Sequence, residues 1–253
     1  MKLEVLLSVM NLNKESLKKM NITSKCTVIN QCGKNCEENY ENFKIYSYNE
    51  IGLSNSRNRG LEYISKDIIL LCDDDVVYNE NYEKIIIQEF RNNPKADLII
   101  FNIDSPNRSM KINTKNKKLH FYNILRYEST RIAFRRKCIE NNKIKFNTLF
   151  GAGAKYTSGE DTLFLIDCLK NKLKIYSSTK NIATVYHRQS TWFKGYNEKY
   201  FLDKGALFTA INRSFRILLI LQYLLRHKEL TQEIKFSKAF ALMLRGSKEY
   251  LNT

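Results

Sequence analysis

A buried strand that ends in three consecutive carboxylates constrains this chain more than any other stretch. The segment IILLCDDDVVY, residues 68–78, opens with an aliphatic run typical of a strand covered on both faces, and it continues into Asp73, Asp74 and Asp75. Adjacent carboxylates repel unless a cation lies between them, and Mg²⁺ and Mn²⁺ prefer oxygen ligands. The segment predicts a metal site at the end of a strand, with an acidic turn before a helix as the plain alternative.

The charge balance limits the kinds of partner. The 253 residues include 42 Lys or Arg and 26 Asp or Glu, giving a net charge of +16, so the surface should attract phosphodiesters, anionic lipid head groups or nucleotides. A hydrophobic content of 43% is enough for one large α/β domain with a helical extension. The amino-terminal stretch MKLEVLLSVMNLNKES lacks a small-residue cleavage site, so we expect a cytoplasmic location.

Apolar runs that alternate with polar or helical segments predict an α/β fold with a mainly parallel sheet of nucleotide-binding type. The predicted strands are Leu3–Met10, Lys25–Asn30, Phe43–Tyr48, Ile68–Leu71, Ala96–Ile103, Thr130–Phe134, Leu173–Ser177 and Asn181–His187. The predicted helices include Asn11–Met20, Asn79–Asn92, Thr162–Leu169 and Ser237–Leu251. Because the composition changes near Tyr200, residues 1–195 are predicted to form the nucleotide-binding domain and residues 196–253 a helical extension.

Two polar segments are candidates for contacts with a nucleotide. In GLSNSRNRG, residues 52–60, Ser54 is predicted to cap a helix whose first turns carry Arg57, Asn58 and Arg59. Guanidinium groups bind phosphate oxygens bidentately, although a solvated basic helix face is the commoner arrangement. At the tip of the second strand, Asn30 and Gln31 either hydrogen-bond a base edge or are ordinary loop residues.

A second acidic motif precedes the predicted helix at Thr162–Leu169. The segment GAGAKYTSGED, residues 151–161, ends in Glu160 and Asp161, and the helix dipole favours ionised acids at a helix amino terminus. An ionised carboxylate can act as a general base. The alternative is structural, because Ser158 and Asp161 have the spacing of a capping box.

Two aromatic residues lie at or just after the end of the last predicted strand. His187, at the tip of that strand, either completes a metal site with Asp73 and Asp75 or is a surface or packing residue. Trp192, the single tryptophan, either stacks on a sugar ring of the acceptor or fills the core.

The aliphatic stretch Leu207–Leu225 has two interpretations. Its apolar part is too short to cross a bilayer, which takes about 20 residues. Arg213, Arg216, Arg226 and Lys228 surround it, so one hypothesis is an interfacial helix on anionic lipid at the inner face of the cell membrane. The other is a helix that packs on the domain.

The order of the motifs GLSNSRNRG, LLCDDDVVY and SGEDTLFL resembles that of the inverting family 2 glycosyltransferases, over roughly residues 3–193. The resemblance implies a GT-A fold, a nucleotide-sugar donor, and a saccharide or lipid-linked acceptor of bacterial surface-polysaccharide type. It also implies a divalent Mn or Mg ion with the donor ribose and diphosphate at Asp73 and Asp75, with Asp74 between them, and Asp161 as catalytic base beside Glu160. Many members carry an acidic residue where this chain has Asn30 or Gln31.

Two other functions compete with this one. An Asp cluster with basic neighbours also suits a nucleotidyl or phosphoryl transferase, although the chain has no GxxxxGK[ST] phosphate loop. Net positive charge alone would also suit a non-catalytic nucleic-acid-binding protein. Three adjacent carboxylates would repel phosphodiesters, so we expect no nucleic-acid partner.

Overall fold

The computed structural model describes residues 1–186, 195–227, 230 and 234–253. Within them, the strands are β1 Leu3–Met10, β2 Lys25–Gln31, β3 Cys36–Tyr40, β4 Phe43–Tyr48, β5 Ile68–Cys72, β6 Val76–Tyr78, β7 Leu98–Asp104, β8 Lys117–Lys118, β9 Ile132–Arg135 and β10 Ile175–Val185. The helices are α1 Lys14–Lys19, α2 Leu53–Tyr63, α3 Tyr82–Asn92, α4 Phe121–Ile124, α5 Arg136–Asn141, α6 Glu160–Lys170, α7 Glu198–Ile211, α8 Arg216–Arg226 and α9 Phe236–Leu251. A short 3₁₀ turn, Ser129–Arg131, leads into β9.

The strands form one sheet in the order β3-β4-β2-β1-β5-β9-β7-β10-β6, with β8 paired to β10. Strands β4, β2, β1 and β5 are parallel to one another. Strand β9 runs antiparallel to both β5 and β7, so β7 and its parallel neighbour β10 point in the same direction as β5. The prediction of a mainly parallel α/β sheet is confirmed.

Helices cover both faces of the sheet, which explains why its central strands are continuous apolar runs. Along β1, Leu6 faces one core with α6 and the carboxy-terminal helices, whereas Val5 and Leu7 face a second core that includes Leu17 of α1. All five residues of β5 are buried. The acids that follow β5 therefore project from a rigid element.

The three carboxy-terminal helices share the core on the α6 side of the sheet. Helices α7 and α9 approach each other closely at two glycines. A Cβ atom added to Gly246 would lie 1.9 Å from the Leu202 carbonyl oxygen, and one added to Gly205 would lie 1.9 Å from that of Met243. Only glycine allows this separation of the two backbones, so the pair fixes how α7 and α9 pack.

Two predicted strand assignments were incomplete. Strand β3 was missed because its sequence, CEENY, is polar and largely exposed at the sheet edge, where it pairs antiparallel with β4. The single strand β10, Ile175–Val185, takes up most of the two strands predicted at Leu173–Ser177 and Asn181–His187, of which His187 lies outside the described residues. Its pairing with β7 shifts register between Ser177 and Asn181 and again between Asn181 and Thr184. The polar residues there stay in the strand because the buried Ser178 hydroxyl donates to Glu89 Oε2 at 2.7 Å.

The segment Leu207–Leu225 is not one helix. Helix α7 ends at Ile211, and the Asn212 side-chain oxygen accepts hydrogen bonds from the backbone N–H groups of Ser214 and Phe215, both at 3.1 Å. This side-chain turn separates α7 from α8. In the part of the chain that the structure describes, no helix is both long and apolar enough to cross a membrane.

Candidate active site

Five carboxylates and two guanidinium groups meet in one cleft where β5 ends. The cleft has a volume of 340 Å³. Its lining comes from α2, the turn after β5, the loop after β7, the 3₁₀ turn before β9, the end of β10 and the start of α6. The lining residues are Arg57, Asp73, Asp75, Arg108, Glu128, Ser129, Thr130, Glu160, Asp161 and Val185. Asp74 is not among them.

Arg57 connects the acids from the two sequence motifs. Its Nη1 donates to Asp161 Oδ1 at 2.6 Å, and its Nη2 donates to Asp73 Oδ1 at 3.1 Å and to Ser129 Oγ at 2.6 Å. The side chain is only 2% exposed. A buried guanidinium surrounded by anions keeps its charge, and the neighbouring carboxylates raise the pKa of Arg57 despite its burial.

The donors of Arg57 thus bind the protein's own carboxylates, in contrast to the predicted contact with donor phosphate. Because Asp73 and Asp161 lie 88 residues apart in the chain, no local sequence pattern reveals that one arginine holds both. Arg57 is suited to positioning the two acids at a fixed separation.

Asp161 is bound on both carboxylate oxygens. Oδ1 accepts from Arg57, and Oδ2 accepts from the Ser129 backbone N–H at 3.0 Å. Burial raises the pKa of Asp161, and the Arg57 guanidinium opposes that rise. The side chain remains 19% exposed to the cleft, so an ionised oxygen can meet a ligand there.

Glu160 lies deeper than Asp161. Its Oε1 is 3.5 Å from Arg57 Nη1, and the side chain is 10% exposed. Burial, followed by repulsion from Asp161, raises the pKa of Glu160 from its ordinary value of 4.5 to about 7. A pKa of about 7 would leave Glu160 partly protonated near neutral pH, close to Asp161 and Arg57.

The capping-box alternative for Asp161 is wrong. The residue that caps α6 is Gly159, with φ of 116°, and no side chain caps the helix. The predicted cap at the start of α2 is also wrong: Gly52 occupies that position, and the Ser54 hydroxyl donates to the Phe150 carbonyl at 2.7 Å. In both places glycine permits the turn, and the polar side chain is used elsewhere.

The carboxylate oxygens of the cleft are suitable ligands for a hard divalent cation. Asp73 and Asp75 present oxygen ligands, and the excess of carboxylates over guanidinium groups requires positive charge before any phosphate can enter. Arg108 does not supply it, since its Nη1 is 3.0 Å from Glu128 Oε1. Among the described residues, no group of three or more His, Cys, Asp or Glu side chains has the arrangement of a metal site. His187, the third predicted ligand, lies outside those residues, as does Trp192.

The predicted base-contacting residues lie away from the carboxylates. Asn30 lines a separate cavity of 650 Å³, where its Oδ1 accepts from the Leu12 N–H at 2.9 Å and its Nδ2 donates to Ser47 Oγ at 3.1 Å. Gln31 Oε1 accepts from the Gly52 N–H at 2.6 Å and so ties β2 to the start of α2.

Asn58 does not line the carboxylate cleft. Its side chain donates to the Phe146 carbonyl at 2.9 Å and accepts from the Phe146 N–H at 2.7 Å. Both polar ends of this amide thus bind backbone, and the prediction that Asn58 binds donor is not supported by its position. Sequence reasoning missed Ser129, Glu128 and Arg108, because they come from irregular segments that carry no motif.

Comparisons with known proteins agree with this architecture. Residues 30–160 match the model of Glycosyl transferase family 2, which is more than half of the chain. No curated protein matches the sequence. The structure of Staphylococcus aureus TarS 1–349 in complex with UDP-GlcNAc has a TM-score of 0.69 and 15% identity, and the alignment covers 100% of this chain and 81% of that one.

Two further TarS structures are similar. TarS 1–349 in complex with UDP has a TM-score of 0.64 and 15% identity, covering 100% of this chain and 82% of that chain. A longer TarS chain has a TM-score of 0.64 and 16% identity, covering 94% of this chain and 46% of that one. These likenesses establish the fold. Together with the family match over residues 30–160, they show that the chain belongs to glycosyltransferase family 2 and has the GT-A type of fold.

Proposed function

We propose that this chain transfers a sugar from a nucleotide diphosphate sugar to an acceptor hydroxyl with inversion of the anomeric centre. The observation that carries the proposal is the pairing of Asp161 with Asp73 through the single buried side chain of Arg57. This pairing supports Asp161 as the catalytic base beside the acids that we propose hold the donor. Family membership favours sugar transfer over nucleotidyl transfer or nucleic-acid binding.

In this proposal, the donor diphosphate lies at Asp73 and Asp75 with a Mn or Mg ion. When bound, the ion neutralises the charge that develops on the departing diphosphate. Arg57 keeps Asp73 in place, and Asp74 lies between the two ligands in the chain. The cavity beside Asn30 is the proposed site for the nucleobase of the donor, because its polar lining lies at the tip of β2. TarS in complex with UDP-GlcNAc supports a nucleotide-sugar donor for this fold.

Asp161 acts as general base in the proposed step. The acceptor oxygen attacks the anomeric carbon while its proton passes to an Asp161 oxygen, and the bond from that carbon to the diphosphate oxygen breaks with its electron pair on the diphosphate. Attack from the face opposite the leaving group inverts the centre. Arg57 and the Ser129 N–H fix the orientation of the Asp161 carboxylate, which keeps the entropic cost of reaching this geometry low.

The acceptor is proposed to be a saccharide or a lipid-linked saccharide, with Trp192 as a stacking residue and the inner face of the cell membrane as the place of work. A panel of nucleotide sugars, incubated with Mn²⁺ and a simple glycoside acceptor, tests the proposal. We expect release of nucleoside diphosphate with one donor and a product whose anomeric proton coupling in NMR shows inversion. A product that retains the donor configuration would contradict the single-displacement step.

A further inference from the structure

We infer that a second cavity, on the other side of the first turn of α6, binds an acceptor that carries phosphate. This inference rests on the proposed function and names the acceptor class of the same site. The cavity, called the basic pocket below, has a volume of 430 Å³. It lies between the loop that follows β7, helix α4 and helices α7 and α8. Its charged members are Lys111, Arg126, Lys204 and Arg226.

The basic pocket adjoins the catalytic acids. Thr162 lines the pocket, and its neighbour in the chain, Asp161, lines the carboxylate cleft. Leu207, a pocket wall residue, packs so closely on Gly159 that a Cβ atom there would lie 2.6 Å from Leu207 Cδ1. The amino-terminal turn of α6 therefore borders both cavities. An acceptor anchored in the pocket can extend a hydroxyl toward Asp161.

The cations of the pocket are available for an anion. Within the described residues, no carboxylate lies within ion-pair distance of Lys111, Lys204 or Arg226. Burial lowers the pKa of Lys204, and only the more distant charges of Glu160 and Asp203 oppose that fall. A phosphate group bound there would offset the cost of holding Lys204 charged.

The number and kind of these cations favour phosphate over a carboxylate. Four basic side chains from four separate parts of the chain line one cavity, and the two arginines among them can each donate two parallel hydrogen bonds to a phosphate. A phosphate group brings more negative charge and more acceptor oxygens than a carboxylate. A neutral glycan would bring no negative charge to balance these four cations.

Aromatic and aliphatic side chains complete the pocket. Tyr122 is 83% exposed at the rim and stacks on His120 with a ring separation of 5.7 Å, so its outer face can carry a sugar ring. Leu219 of α8 lines the inner wall, and Leu218 and Leu225 are exposed on the same helix, 61% and 60% respectively. This apolar surface suits a lipid-linked phosphate, whereas a phosphorylated glycan would use only the polar end.

A double variant, Lys111→Gln with Arg226→Gln, tests the inference. Both side chains are exposed and come from opposite sides of the pocket, so the fold should tolerate their replacement. The matched control is Lys143→Gln with Lys145→Gln, two exposed lysines near α5 that remove the same amount of charge elsewhere. Calorimetric titrations of the full chain would use farnesyl diphosphate, methyl glucoside 6-phosphate and the neutral octyl glucoside.

We expect at least one phosphate compound to bind the wild type and the control variant, and to bind the double variant about tenfold or more weakly, because two charge-assisted contacts are lost. Tighter binding of farnesyl diphosphate would indicate that the phosphate belongs to a lipid-linked acceptor. Tighter binding of methyl glucoside 6-phosphate would indicate a soluble phosphorylated acceptor. Equal binding of octyl glucoside, or equal phosphate affinity in all three proteins, would overturn the inference.

Nucleotide-sugar affinity measured on the same three proteins separates this failure from failure of the proposed function. The double variant should keep the donor affinity of the wild type, since neither residue lines the carboxylate cleft. If the wild type bound a nucleotide sugar but neither phosphate compound, only the acceptor class would be refuted. Absence of donor binding in the wild type would refute the proposed function itself.

Discussion

The carboxylate cleft and the basic pocket both border the first turn of α6, but the charges that line them are of opposite sign. Carboxylates outnumber guanidinium groups in the first, and in the second Lys111, Arg126, Lys204 and Arg226 have no lining carboxylate beside them. A cleft rich in acids needs an added cation to hold a diphosphate, whereas a pocket rich in bases holds a phosphate directly. This difference is the reason why we propose the donor for the carboxylate cleft and a phosphate-bearing acceptor for the basic pocket.

The two sides also differ in how they are built. The acids project from the ends of β5 and α6, which are anchored in a sheet covered on both faces. The walls of the basic pocket come from helices α7 and α8 on one side and from the loop after β7 and helix α4 on the other. A substitution that loosens those helices should disturb the acceptor side first, whereas a substitution among the acids should stop the chemistry without moving the fold.

The largest expected effect is on the acid side. Asp161→Asn should lower the turnover number by about 10²–10⁴-fold, the usual contribution of a general base, while the Michaelis constant for donor stays unchanged. Steady-state kinetics at saturating acceptor measure this effect. Glu160→Gln is the matched comparison. If Asp161→Asn turned over normally and Glu160→Gln did not, the base would be Glu160.

On the helical side, Gly246→Ala should destabilise the protein by about 1–3 kcal/mol, because the new methyl group overlaps the Leu202 carbonyl oxygen of α7. Urea denaturation followed by circular dichroism measures the loss. Gly33→Ala is the control, since no atom lies within 4 Å of a Cβ atom at Gly33. Equal stability of the two variants would mean that α7 and α9 do not pack as described.

The buried acid of α6 gives a pH-dependent prediction. The pKa of Glu160 is raised from 4.5 to about 7 in the folded state, so the folded protein binds more protons than the unfolded one between these values. The contribution of Glu160 to stability is complete below about pH 4.5 and is lost as the pH rises through about 7. Urea midpoints at pH 5 and pH 8 should therefore fall more in the wild type than in Glu160→Gln. Parallel changes would show that Glu160 titrates normally.

The smallest effect concerns α8 and a membrane surface. The helix exposes Leu218 and Leu225, and Arg213, Arg216 and Arg226 lie at its ends. Each basic residue near an anionic surface contributes about 1 kcal/mol, so binding to anionic vesicles at low salt should weaken when the three arginines become Gln. Vesicle co-sedimentation at low and high salt measures it. Protein that stays in the supernatant at low salt would leave packing as the role of α8.

Much of the sheet and both acidic motifs could be predicted from sequence, because continuous apolar runs such as Ile68–Cys72 have few alternatives to a buried strand. The polar edge strand β3 could not, since it is held by its pairing with β4 and none of its side chains is buried. The break at Asn212 was equally hidden, because it depends on two hydrogen bonds made by one side chain within an aliphatic stretch.

In the candidate site, too, some features could be predicted from sequence and others could not. Asp73 and Asp161 were found because acids that end a strand or start a helix form visible motifs. The role of Arg57 was assigned to phosphate, because sequence shows its charge and not its partners 16 and 104 positions away. For Asn58, likewise, its position in the motif does not reveal that its amide binds the Phe146 backbone.

We propose above all that the carboxylate cleft binds a nucleotide-sugar donor together with a divalent cation. Thermal unfolding of the wild type and of Asp75→Asn, with a panel of nucleotide sugars in Mn²⁺ or in chelator, tests it most directly. A ligand at 100 times its Kd stabilises the folded state by about 2.7 kcal/mol, which is several degrees in a protein of this size. We predict that at least one nucleotide sugar raises the Tm of the wild type only with Mn²⁺, and that Asp75→Asn keeps its unliganded Tm but loses the rise. A rise of equal size in Asp75→Asn with the metal chelated, or no rise with any donor in Mn²⁺, would contradict the account.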